Sequence, residues 1–137
     1  MRTCGDCTLC CTLCHVPELD KAEGVQCEHC EKGCTIYAGR PDSCVSYECA
    51  WIKEEVPEFM RPDLCGVMVE VYPLMVGAML APNWGINDLS RGVLQVLDEF
   101  VSSGKPVVAT GQFARIPEGM TPEEAKGILI RTVKEYR

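Results

Sequence analysis

The chain has 137 residues, the length of one ordinary domain, and 11 of them are cysteine. Its formal net charge is −7, with four Lys/Arg against eight Asp/Glu in the first 50 residues and no basic cluster to offset them. Such a chain repels phosphate backbones, which argues against a nucleic acid partner.

The first feature along the chain is CGDCTLCCTLC, residues 4–14, with cysteine at five of its eleven positions. A disulfide framework, a redox thiol pair and a metal site all use such clusters. An odd cysteine count leaves one thiol over in any fully bridged scheme. No apolar segment separates Met1 from Cys4, so no export signal is expected and the predicted location is the cytoplasm, where clustered thiols serve metal or redox chemistry. A redox role needs an exposed thiol beside a base, for which Cys14 next to His15 is the candidate pair.

Two further groups follow, Cys27-x2-Cys30-x3-Cys34 and Cys44-x4-Cys49. Several CxxC pairs within one short stretch suit a soft metal, because thiolates favour tetrahedral four-sulfur sites for zinc or an iron–sulfur cluster. Cys4, Cys7, Cys10 and Cys14 also have the C-x2-C-x2-C-x3-C spacing of bacterial ferredoxins, with the following proline displaced to Pro17. Cys44 and Cys49 would lie about 140° apart on one unbroken helix, so either the helix ends between them or they serve different ions. His15 and His29 are candidate nitrogen ligands, but with thiols so abundant nearby each reads first as a surface residue or one that supports the ligands from behind. Large aliphatic residues are sparse here: Leu9, Leu13, Val16, Leu19, Val25, Ile36 and Val45. Ordering the backbone costs roughly 1–2 kcal/mol per residue, more than so few apolar groups offset. A structural zinc contributes on the order of 10–16 kcal/mol in small metallo-peptides.

The CxxCxxCC run at Cys4–Cys11, followed by Cys34-Thr-Ile-Tyr-Ala-Gly-Arg-Pro-Asp-Ser-Cys44 and then Cys49, resembles the CxxCxxCC cysteine-cluster family of zinc- or iron-chelating domains (YkgJ-like). The resemblance covers roughly residues 4–50. It implies a ligand set of Cys4, Cys7, Cys10, Cys11, Cys27, Cys34, Cys44 and Cys49, with Tyr37, Arg40 and Pro41 as framework. Eight thiols divide into two four-ligand zinc sites. Cys14, Cys30 and Cys65 are additional; Cys30 can replace Cys27 and Cys14 can replace Cys11, whereas removal of Cys14 or Cys65 is expected to leave the metal count unchanged. Arg40 is expected to donate hydrogen bonds to a thiolate or a nearby carbonyl.

Beyond Trp51 the chain reads as ordinary protein, and Pro57 and Pro62 bracket the joint between the two parts. The apolar stretch 64–81 is broken by Glu70, Pro73 and two glycines, which predicts a buried hairpin and no membrane span. Val67, Val69 and Val71 alternate as in a half-buried strand, and Leu74–Ala81 supplies its partner. Asn87 or Asp88 caps a helix with stripe Leu89, Val93, Leu97 and Phe100, ending at Gly104. A third strand spans Pro106–Ile116. Thr121-Pro122-Glu123-Glu124 opens a last helix with Ile128, Leu129, Val133 and Tyr136 inward. The predicted class is α+β: a metal-stapled cysteine-rich module (1–55), then a ββαβα region (56–137) with a small, mainly antiparallel three-stranded sheet and both helices on one face, the two parts possible as one packed unit. Cys65 is expected to be a buried free thiol, and Trp84 to cover the sheet edge or to anchor a partner.

No HExxH, GxSxG, GxxxxGK[ST] or GxGxxG signature occurs. The leading functional expectation is a cytoplasmic metal-binding protein whose zinc–thiolate sites shape a surface that docks a protein partner. The alternatives are an iron–sulfur protein for electron transfer or enzyme support, and a metal storage or delivery protein.

Overall fold

Alternating apolar residues around a proline turn make the first hairpin. In the computed structural model, which describes residues 2–4 and 7–136, β1 (Val67–Val71) and β2 (Val76–Leu80) pair antiparallel, with Val67 opposite Leu80 and Val71 opposite Val76. The turn is closed by the Tyr72 N–H on the Met75 carbonyl at 2.8 Å.

The helix that follows starts later than its Asn-Asp signal suggests. Asp88 accepts the Gly85 N–H at 2.7 Å and closes a separate 3-10 turn, Ile86–Asp88. Ser90 is the true cap of the helix Arg91–Ser102, its Oγ accepting the Val93 N–H at 3.2 Å.

The expected single strand at 106–116 is two. Gly111 takes φ +77°, a conformation that favours glycine, and the chain reverses there. The results are β3 (Val107–Ala109) and β4 (Phe113–Arg115), an antiparallel hairpin with Ala109 opposite Phe113. β3 pairs parallel with β2, Val76 opposite Val107, because the helix 91–102 carries the chain back to the end from which β2 started. The sheet is therefore four-stranded and mixed, in the order β1-β2-β3-β4, where three mainly antiparallel strands were expected. The α+β class holds.

Alternation along the strands sorts the two faces. Val76, Ala78, Leu80, Val107 and Ala109 join Val93, Val96 and Leu97 in the buried core. On the other face Glu70, Gly77, Met79 and Val108 look across a gap of about 380 Å³ toward Leu129, Thr132 and Val133 of the last helix, Pro122–Tyr136. The two long helices thus flank opposite faces, a correction to the one-sided expectation. The gap also explains why Val133 and Tyr136, expected inward, stay exposed while Ala125 and Thr132 are buried. Tyr136 stacks on Tyr72 with ring centroids 5.2 Å apart.

Residues just after the last clustered cysteine enter this same core. Cys49, Ala50, Trp51 and Val56 cluster with the sheet residues, as does Leu9, and the Ala50 N–H donates to the Val69 carbonyl at 2.8 Å. Arg2 donates to the carbonyls of Trp51 (2.8 Å) and Val56 (2.6 Å) while lying 5.2 Å over the Trp51 ring. Among the described residues no helix is long and apolar enough to cross a membrane.

Candidate metal centre

Tight turns set each pair of thiols. The Cys7 N–H donates to the Cys4 carbonyl at 2.7 Å and the Cys30 N–H to the Cys27 carbonyl at 3.0 Å, so each CxxC closes one turn. A short helix, Leu9–Leu13, carries Cys10 and Cys11 and ends where the Cys14 N–H meets the Cys10 carbonyl at 3.1 Å. The second group is tied to the first by the Cys27 N–H on the Cys11 carbonyl at 2.8 Å. A second short helix, Asp42–Ser46, holds Cys44 and stops before Cys49, which resolves the angular conflict between those two thiols. Glu18 clamps the start of that helix, accepting the Ser43 N–H at 2.9 Å and hydroxyl at 2.6 Å.

These turns bring Cys4, Cys7, Cys10, Cys11, Cys14, Cys27, Cys34, Cys44 and Cys49 to the wall of one cavity of about 130 Å³. The eight residues implied by the family resemblance are all there, with Cys14 as a ninth. Met68, Trp51 and Pro62 close the cavity from the sheet side, and Lys21, Arg40, Tyr37, Tyr47 and His15 complete its lining. Cys30 is not part of the cavity wall; burial, then the neighbouring Cys11, raises its thiol, and its backbone pairs across a β-bridge with Cys34. His29 sits 3.5 Å from the Glu28 carboxylate. Cys65 stands apart and buried, its Sγ donating to the Val67 carbonyl at 3.3 Å.

The thiols sit in an environment that opposes free thiolate. Burial, then the Cys49 thiolate, raises Cys4, with Arg40 pulling the other way. A hydrogen bond that the Cys11 thiol donates to its neighbour Cys10, then burial, raises Cys11 strongly. Burial raises Cys44, reinforced by Cys11, Cys34 and Cys27. Burial pushes Cys7 up to about 11, and its thiol also meets the Asp63 carboxylate. Asp63 is in turn held bidentately by Arg61 at 2.6 and 2.7 Å. Without a cation, mutual repulsion and desolvation keep such thiols protonated; a bound cation reverses both effects.

Among the described residues no three Cys, His, Asp or Glu side chains converge closely enough to hold an ion as they stand. The thiols ring the cavity instead of meeting at a point. As a donor set they fit a soft metal: each sulfur moves between staggered wells about one torsion, and the lining is rich in thiols with cations beside them.

Arg40 does not make its expected hydrogen bond among the described residues. Its guanidinium lies 4.0 Å over the Tyr37 ring and acts on the thiols through charge. Trp84 packs its indole on Gly66, where an added Cβ would come within 2.2 Å of the ring; it covers the entry to the edge strand β1. Three residues at the site had no signal in the sequence: Lys21, Tyr47 and Asp63. Lys21 is placed by the turn that bridges it to Val16, whereas Tyr47 and Asp63 meet the cysteine run from segments far along the chain. Comparison with family models, with curated proteins and with solved structures finds no match to this chain.

Proposed function

We propose that the chain is a metal-binding protein whose ions are held by thiolates of the CxxCxxCC cluster and its two following groups, zinc being the favoured metal. The observation that supports this is the gathering of nine cysteines, from segments 4–14, 27–34 and 44–49, around a single cavity. The likeness to the cysteine-cluster family, carried by its two motifs, adds the expectation of two ions on eight thiols. Four thiolates per zinc leave no open coordination position, so such ions would organise structure and not activate water or substrate. Function then falls to the surface the ions shape, as an accessory or docking element for a protein partner, with storage or delivery of metal as the variant in which the sites exchange.

An iron–sulfur cluster is the second reading. Cys4, Cys7, Cys10 and Cys14, which share the ferredoxin-like spacing, all lie on the cavity wall. Metal and sulfide content after anaerobic purification separates the two. Colourless protein with about two zinc per chain supports the first, and brown protein with iron and acid-labile sulfide supports the second. Protein that takes up neither metal under reducing conditions overturns both.

A further inference from the structure

Cys14 lies outside the eight cysteines that the family resemblance assigns, yet it lines the same cavity, together with Lys21 and Tyr47. Two features of those surroundings lack an explanation in packing.

The first is Lys21, a basic side chain only 6% exposed. Its ammonium donates to the carbonyls of Thr12 (3.1 Å), Ala22 (3.2 Å) and Cys14 itself. Among the described residues no carboxylate pairs with it. Carbonyl dipoles satisfy its three hydrogens but leave its charge uncompensated, and a buried cation without a counter-ion is costly. The counter-ions available are the thiols of the cavity that Lys21 lines. The second is the Tyr47 hydroxyl, fully buried and without a hydrogen-bond partner among the described residues. Its ring packs against the core beside Cys14, which accounts for the ring and not for the oxygen. A buried hydroxyl left unpaired loses its solvation for nothing in return.

Both features are accounted for if the Cys14 sulfur, which lines the same cavity as Lys21 and Tyr47, carries a negative charge. We propose that Cys14 is a metal-ligating thiolate, with Lys21 as its counter-cation and the Tyr47 hydroxyl as its hydrogen-bond donor; this rests on the thiolate–metal reading above. Burial, then Glu70, raises the Cys14 thiol to about 11, a cost that a bound cation has to offset, and Lys21 and Tyr47 are the neighbours that act the other way. Tyr47 stays a neutral donor, because burial and the neighbouring Glu70 hold its phenol far above the usual range. A thiolate that both donates to the metal and accepts from a phenol is fixed in orientation, as ligands commonly are by outer hydrogen bonds. Metal binding at Cys14 displaces one proton from sulfur to solvent, with no change of oxidation state.

Cobalt(II) titration of the full chain, reduced and anaerobic, tests this, since the sulfur-to-cobalt charge-transfer absorption scales with the number of coordinating thiolates. Cys14→Ser is expected to lower that absorption per cobalt or the number of cobalt ions bound, whereas Cys65→Ser leaves both unchanged. Tyr47→Phe is expected to keep the cobalt count and weaken affinity about ten-fold. Lys21→Gln is expected to weaken affinity likewise, with Lys21→Arg restoring it. Unchanged absorption, count and affinity in Cys14→Ser overturns the assignment while leaving the metal reading intact. Should Cys14→Ser not fold, unchanged cobalt affinity in Tyr47→Phe overturns it. A parent chain that binds no cobalt removes the assignment and the metal reading together.

Discussion

Cys7 and Cys14 show how one buried thiol couples protonation to stability. Burial raises both to about 11 from an ordinary value of 9.0. A raised thiol favours the folded state while it stays protonated, so its contribution is complete below pH 9 and is lost as pH climbs toward 11. Urea midpoints of the metal-free, reduced chain are therefore expected to fall between pH 8.5 and pH 11 (about the span of the two thiol values); a midpoint that rises over that span contradicts the assignment. Gly66 makes the complementary point about backbone. It sits at φ +82° with the Trp84 ring where a Cβ would go. Gly66→Ala is expected to cost about 1–2 kcal/mol from the left-handed conformation alone, plus the displacement of the indole, which shifts the Trp84 fluorescence. An unchanged melting temperature and emission maximum would show that the ring does not seat there.

At the level of elements, the helix Arg91–Ser102 holds the sheet through Leu97, which is fully buried, and Val93. Leu97→Ala is expected to destabilise by about 2–5 kcal/mol, measured by denaturant unfolding, whereas truncating exposed Ile130 on the last helix should cost far less. Much of this was legible in the sequence because it depends on short-range rules. The Val67–Val71 alternation, Pro73 in the turn and Thr121 at the start of the last helix, whose Oγ1 accepts the Glu124 N–H at 3.1 Å, each act within a few residues. What was not legible depends on contacts between distant residues. A glycine at 111 inside an apolar run does not announce a reversal, and nothing in 106–116 tells whether its partner is parallel. The inward stripe expected for the last helix failed at Val133 and Tyr136, which stay exposed because a gap separates that face from the sheet and Tyr136 meets only the Tyr72 ring among the described aromatic residues. Cysteine spacing singled out the residues that line the cavity, since a CxxC turn is local. It was silent on Lys21, whose burial follows from the Val16–Lys21 bridge that folds it back onto Cys14.

The whole molecule joins a segment poor in apolar residues to a conventional core, and the seam between them lies earlier than composition implies. Trp51 and Val56 belong to the core, and Ala50 is hydrogen-bonded to β1. Chelation under reducing conditions is thus expected to abolish amide protection across residues 7–47 while Ala50 and the four strands stay protected. Retention of protection at Cys14 and Cys27 after verified metal loss would show that the cysteine segment holds itself. The parallel pairing of β2 with β3 has a consequence in time. These strands meet only after residues 81–106 have been laid across the sheet, and such non-local closure is slow compared with forming a CxxC turn. Thiols in the N-terminal turns are therefore exposed to air well before the wall formed by Met68 and Trp51 arrives. Refolding yield should then depend on how long that interval lasts in an oxidising buffer, with the loss taking the form of mispaired disulfides, and reductant or metal added in the first moments should rescue chains that the same addition, made late, cannot.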